Sequence, residues 1–206
     1  TFRVLLERLR IGRSDTLYLL GDYIDRGPDS KGVLDTIMNL DCQVVALRGN
    51  HEDMWLRASA PTDDPLQSAA YFSLWMQNGG QATLKSFTGT ETGPYLAFVG
   101  SLPVFVELDD FLLVHAEFDF SLADPFGEEG IESMLWSRGK PYHGKKPVLC
   151  GHTPLPLDRI LEGLRTNRIN IDNGCCYVGH SGFHNLLAYN LDDGELFVQP
   201  NIEQEG

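Results

Sequence analysis

The sequence predicts a mixed α/β domain, and three observations carry that expectation. Five short apolar runs each end abruptly in a polar cluster, the pattern of buried strands bounded by turns. Amphipathic helical patterns follow at least two of these runs, and strand–helix alternation argues for α/β. Two further pairs of apolar runs are joined by Asp109-Asp110 and by Asp192-Asp193-Gly194, which argues for antiparallel pairing and so for mixed sheets.

The elements follow in order. Phe2 to Ile11 sets Phe2, Leu5, Leu6 and Leu9 on one helical face, with Thr1 in place to cap it. Leu17-Tyr18-Leu19-Leu20 runs into Gly21-Asp22-Tyr23-Ile24-Asp25-Arg26-Gly27. Ser30 to Leu40 carries Val33, Leu34, Ile37 and Met38 on one face, with Asp29 or Ser30 as cap. Val44-Val45-Ala46-Leu47 runs into Arg48-Gly49-Asn50-His51-Glu52. Residues 53–100 are mostly helical in pattern, broken by Pro61, Pro65 and Gly79-Gly80, and read as an insertion beside the site. Leu102 to Leu108 and Phe111 to Val114 form an antiparallel pair, the second ending in His115-Ala116-Glu117. Val148-Leu149-Cys150 precedes Gly151-His152-Thr153-Pro154, and Ile169-Asn170-Ile171 precedes Asp172-Asn173-Gly174. His184 to Leu191 and Glu195 to Val198 read as a closing hairpin.

Composition narrows the function classes. With 206 residues, 42% of them hydrophobic and 22% charged, the chain fits one domain with a real core and excludes disorder. The apolar runs are far shorter than the ~20 residues of a spanning helix. The amino-terminal residues mix Leu with Arg3, Glu7, Arg8 and Arg10, which does not suit a signal peptide. A net charge of -13 argues against nucleic acid or an anionic membrane as partner. Cys42, Cys150, Cys175 and Cys176 show no Cys-x-x-Cys spacing and read as reduced thiols, which predicts a cytoplasmic location.

In α/β sheets the carboxyl ends of strands face the ligand crevice, so Asp22, Asn50, His115 and His152 can meet at one rim. Mixed oxygen and nitrogen ligands suit Mn, Fe or Zn better than Ca. A carboxylate bridging two such ions holds them about 3.5–4 Å apart and generates a hydroxide near neutral pH. Arg26 offers a guanidinium fork for phosphate. His51, paired with Asp25, suits a proton donor to a leaving alkoxide. Plainer readings stand beside these. Asp22 and Asp25 fit a solvated turn, Asn50 and His51 a helix cap, and His115 and His152 satisfied core histidines. Asp172 fits a turn or a supporting role, His143, His180 and His184 have no motif around them, and Trp55, Trp75 and Trp136 read as packing anchors.

Gly21-Asp22-Tyr23-Ile24-Asp25-Arg26-Gly27 and Gly49-Asn50-His51-Glu52, with Asp22 preceding Asn50 by 28 residues, resemble the signatures of PPP-type serine/threonine protein phosphatases of the calcineurin-like metallophosphoesterase superfamily. His115-Ala116-Glu117 and Gly151-His152-Thr153 resemble the later His motifs, and Leu135-Trp136-Ser137-Arg138 the segment with the second phosphate-binding Arg. Trp75-Met76-Gln77-Asn78-Gly79-Gly80 with Thr83-Leu84 is similar to the bacterial and phage branch, near symmetrical diadenosine tetraphosphate hydrolases.

The resemblance implies a sandwich of two mixed β-sheets flanked by helices, and two divalent metal ions, manganese first, iron or zinc as alternatives. It implies that Asp22 bridges both ions and that Asn50, His115 and His152 complete one site. His51 is then the general acid held by Asp25, Arg26 and Arg138 clamp the phosphate, and hydroxide attacks phosphorus in line. The family's leading Gly-Asp-x-His-Gly motif is expected roughly half a dozen residues before Thr1. Residues 1–206 therefore read as a single metallophosphoesterase domain lacking that strand and motif. The expected activity is hydrolysis of phosphoserine or phosphothreonine proteins, with phosphotyrosine or small phosphoesters as further substrates. The alternatives are a diadenosine tetraphosphate hydrolase and a non-catalytic binding module with an incomplete metal centre.

Overall fold

The computed structural model describes residues 1–203. Helix α1 (Phe2–Leu9) ends two residues earlier than its apolar pattern, because Arg10 turns left-handed (φ 53°). Its Arg8 guanidinium donates to the Val198 carbonyl (2.7 Å) and Gln199 Oε1 (2.9 Å), tying the start of the chain to its end. Strand β1 (Thr16–Leu19) and strand β2 (Gln43–Ala46) pair in parallel, Thr16 opposite Gln43, across helix α2 (Ser30–Met38). Asp29 caps α2 by accepting the Gly32 N–H at 2.8 Å.

Four helices follow: α3 (Asn50–Ser59), α4 (Pro65–Gln77), α5 (Gly80–Ser86) and α6 (Gly93–Ser101). Asp64 and Pro65 start α4, the side chain accepting the Leu66 N–H at 2.9 Å. These helices share a core with α2, built on Leu34, Met54, Trp55, Trp75, Phe87 and Val99.

Strands β3 (Phe105–Glu107), β4 (Leu112–Val114), β5 (Val148–Cys150) and β6 (Arg168–Asn170) form a sheet in that order. The first pair is antiparallel and the rest parallel. Side chains alternate across it: Leu112, Val114, Val148 and Cys150 pack with Met134 of helix α7 (Ile131–Trp136), while Leu113, Leu149 and Ile169 pack with Leu47 on the other face. Both faces are buried at β4 and β5, which is why those two strands read as unbroken apolar runs. Helix α8 (Leu157–Gly163) packs against β6. Strands β7 (Asn185–Tyr189) and β8 (Leu196–Pro200) close the chain as an antiparallel hairpin.

The chain is therefore a mixed α/β domain with helices flanking its sheets. Hydrogen bonding groups the described strands into three sets, one more than the two sheets the resemblance implies, because β1–β2 and β7–β8 each pair only with themselves. No helix among the described residues is long and apolar enough to cross a membrane.

Candidate metal centre and proton-donor pair

The parallel pairing of β1 with β2 sets Gly21-Asp22 beside Gly49-Asn50, and that of β4 with β5 sets His115 beside Gly151-His152. The two loops of the first pair cross at their glycines. A Cβ on Gly21 (φ +102°) would lie 2.7 Å from His115 Nδ1 and 2.8 Å from the Gly49 Cα, and one on Gly49 would overlap the Asp22 carboxylate. Glu52, fully buried, pins the crossing. It accepts the N–H groups of Asp22 (2.8 Å), Tyr23 (2.7 Å) and Gly49 (2.9 Å). Burial and the Asp22 charge push its carboxyl up to about 7.

Asp22, Asn50, His115 and His152 come together at the rim. His115 Nε2 lies 3.0 Å from Asn50 Oδ1, 3.1 Å from His152 Nδ1 and 3.4 Å from Asp22 Oδ1, and His152 Nδ1 lies 3.1 Å from Asn50 Oδ1. The Leu20 carbonyl, 2.8 Å from His115 Nδ1, requires the proton there and leaves the Nε2 lone pair aimed at the cluster. Burial, then His115 and Arg138, pull the His152 ring down to about 4, which leaves it unprotonated at pH 7. Lone pairs of two imidazoles, an amide and a carboxylate thus converge within one small space, and a divalent cation with nitrogen and oxygen preference fits that set. Burial works against the Asp22 charge, yet His115 and His51 hold the carboxyl below its ordinary value.

His51 and Asp25 form a second, buried pair beside these four. His51 Nδ1 is 2.6 Å from Asp25 Oδ2, and the His51 N–H reaches Asp22 Oδ1 at 3.3 Å. Burial lowers the His51 ring's affinity for a proton, but the Asp25 bond and the Asp22 charge outweigh it, leaving the ring raised above its ordinary value. Asn50 and His51 open α3 instead of capping it; Gly49 is the cap. Their position puts the positive end of the helix at the rim.

Arg26 and Arg138 are exposed, and they line the same groove of about 2300 Å³ as the six residues above. The Arg26 charge is felt at His51 and the Arg138 charge at His152. Asp172 lines this groove too, its carboxylate accepting the Gly174 N–H at 2.8 Å in a turn. His143 and His180 are exposed and do not line it.

Two features of the site go beyond the sequence expectations. Glu52 belongs to the Gly49-Asn50-His51-Glu52 motif, and its place three residues after Gly49 is the signal for its part in the crossing. Trp75, expected as a packing anchor, also donates its indole N–H to both oxygens of Asp25 at 3.0 and 3.1 Å.

Backbone strain marks the same residues. Asp22, Asp25, Arg26 and His152 all have positive φ, between 59° and 70°, in a region where side chains are disfavoured.

Residues 1–191 match the Calcineurin-like phosphoesterase family, and the chain belongs to it. It is 30% identical over 170 residues to the serine/threonine-protein phosphatase 1 of Salmonella typhimurium, covering 75% of this chain and 74% of that protein. An asymmetrical bis(5'-nucleosyl)-tetraphosphatase of Anoxybacillus flavithermus is 28% identical over 183 residues, 79% of this chain and 72% of its own. A symmetrical bis(5'-nucleosyl)-tetraphosphatase of Delftia acidovorans is 48% identical over 60 residues, 29% of this chain and 21% of its own. The chain is a phosphoester hydrolase of a family that uses divalent metals.

Proposed function

We propose that this chain is a phosphomonoesterase acting on phosphoserine and phosphothreonine proteins, with manganese as its metal. The observation that carries the metal-dependent chemistry is the convergence of Asp22 Oδ1, Asn50 Oδ1, His115 Nε2 and His152 Nδ1 beside the buried His51–Asp25 pair. Those four residues would hold one ion, and Asp22 Oδ2, which makes no hydrogen bond among the described residues, would face a second. Bound divalent cations supply charge to offset the phosphate and to acidify a water.

The remaining roles belong to the chain's own groups. Arg26 and Arg138 bind phosphate oxygens as forked donors. His51 gives its proton to the departing alkoxide oxygen, and Asp25 holds Nδ1–H so that Nε2 faces the groove. A ring raised above its ordinary value stays protonated to higher pH, which suits a donor. The protein-phosphatase assignment is supported by a relative of that name aligned over three-quarters of both chains, and by an open groove able to admit a loop of another protein. A dinucleotide hydrolase is the second reading, favoured by the tetraphosphatase relatives. Four free cysteines support a reducing, cytoplasmic setting.

The test compares turnover of a phosphopeptide and of diadenosine tetraphosphate with manganese present, alongside metal analysis. Faster phosphopeptide turnover is expected; the reverse moves the assignment to the dinucleotide. Absence of both bound metal and p-nitrophenyl phosphate hydrolysis would leave a binding module. His51→Asn should lower kcat by about a hundredfold or more with metal content unchanged. Loss of metal in that variant would remove His51 from the donor role.

A further inference from the structure

Asp25 is held on more sides than a simple partner of His51 needs to be. Its Oδ1 accepts the Thr83 hydroxyl at 2.6 Å and the Trp75 indole N–H at 3.0 Å, and its Oδ2 accepts His51 at 2.6 Å and the same indole at 3.1 Å. The Asp25 N–H is shared by Thr83 Oγ1 (2.9 Å) and Ser30 Oγ (3.1 Å). Thr83 has one hydroxyl proton and spends it on the carboxylate, so Ser30 is the donor in the 3.2 Å contact between the two hydroxyls. Every one of these groups is buried.

Trp75 and Thr83 come from α4 and α5, 50 and 58 residues beyond Asp25, and the segment joining them is shaped to reach it. The Trp75 ring stacks on Trp55 at 6.3 Å between centroids. Gly80 gives it room, since a Cβ there would lie 2.7 Å from the indole. Gly79, at φ +107°, turns its carbonyl toward the Arg26 N–H (3.4 Å), and a Cβ on it would lie 2.8 Å from Arg26 Cγ. The segment from Trp75 to Thr83 therefore seats two consecutive residues of the β1 loop, Asp25 and Arg26, both of which hold strained left-handed backbone.

We propose that Trp75 and Thr83 are positioning residues for the proton-donor pair: they fix the plane and place of the Asp25 carboxylate, and through it the His51 ring. This rests on the reading of His51 as the donor. A carboxylate on a short side chain turns about χ1 and χ2 unless its oxygens are engaged, and the Thr83 hydroxyl on Oδ1 with the indole N–H shared between both oxygens leaves only the Oδ2 lone pair that meets His51. Trp75 and Thr83, which do not line the groove, thus serve the chemistry from behind the Asp25 carboxylate.

The experiment measures kcat and KM for p-nitrophenyl phosphate with manganese in Trp75→Phe, Thr83→Val, Thr83→Ser and Trp55→Phe, each also combined with His51→Asn. Trp75→Phe and Thr83→Val should lower kcat by about ten- to a hundredfold with KM within about twofold. Thr83→Ser should regain most of the loss, and Trp55→Phe, which disturbs the same stack without reaching Asp25, should match the parent. On the His51→Asn background Trp75→Phe should cost nothing further, because it acts through His51. Independently of turnover, Asp25→Asn should move the Trp75 indole ¹H–¹⁵N signal and leave that of Trp55 in place. Full kcat in Trp75→Phe and Thr83→Val while His51→Asn is impaired overturns the positioning role and leaves the donor reading intact. Losses that multiply on the His51→Asn background, or an unmoved indole signal, also overturn it. Unimpaired His51→Asn overturns the donor reading and this inference with it.

Discussion

Gly21→Ala isolates the loop crossing on which the candidate metal centre is built. Two costs add. Left-handed backbone is unfavourable for a residue with a Cβ by about 1–2 kcal/mol, and Gly21 sits at φ +102°. The new methyl would also stand 2.7 Å from His115 Nδ1 and 2.8 Å from the Gly49 backbone, overlaps of the kind that cost about 1–3 kcal/mol in packed interiors. The sum is about 2–5 kcal/mol. Gly89 supplies the control: its φ is +75°, and nothing lies within 4 Å of its Cβ position, so Gly89→Ala carries only the first cost. Urea unfolding of the metal-free protein, read as midpoint times slope, gives the difference between the two variants. Because the clash pushes His115 off the Leu20 carbonyl that fixes its tautomer, manganese affinity should also fall by about tenfold or more in Gly21→Ala alone. A Gly21→Ala loss no larger than that of Gly89→Ala, with unchanged manganese affinity, would refute the reasoning.

Two other outcomes follow from protonation and burial. Burial pushes the thiols of Cys150 and Cys175 up to about 12, so at pH 8 only about one in ten thousand is thiolate, whereas Cys176 is exposed. A thiol-disulfide reagent should therefore label Cys176 fast, the half-buried Cys175 more slowly and Cys150 only after unfolding; rapid labelling of Cys150 in the native protein contradicts the packing described. The His152 ring, down at about 4 in the fold against about 6.5 when unfolded, makes the unfolded chain the greater proton binder in between. Metal-free stability should therefore fall as pH drops from about 6.5 toward 4. Glu52, raised to about 7, has the opposite sign: its contribution is present at low pH and lost as pH rises toward 7. The readout is accordingly the difference between the parent and His152→Gln across a pH series of urea curves, and parallel slopes would contradict the assignment.

Much of this was legible in the sequence for a simple reason. Strands β4 and β5 are buried throughout and the half-buried β1 and β2 are nearly as apolar, so the ends of all four, and the polar residues placed there, could be found from one chain. Aspartate at 29 announced a helix start because caps are local chemistry, whereas Pro65, expected as a break, opens α4 behind the Asp64 cap. What was not legible depends on contacts between distant segments. A tryptophan in an apolar helix looks the same whether its N–H finds a carboxylate 50 residues away or nothing at all. The early end of α1 needed the left-handed turn at Arg10, which an arginine does not advertise. The grouping of strands into three sets depends on which edges meet, and periodicity along one strand carries no record of its neighbour.

The left-handed conformations at Asp22, Asp25, Arg26 and His152 have a consequence for how this protein tolerates change. Glycine would relax the main chain at each of them, and at each it would delete the group for which the bend exists. Mutational drift selected for thermal robustness alone should hence accumulate at the rim, producing hardier and catalytically silent descendants.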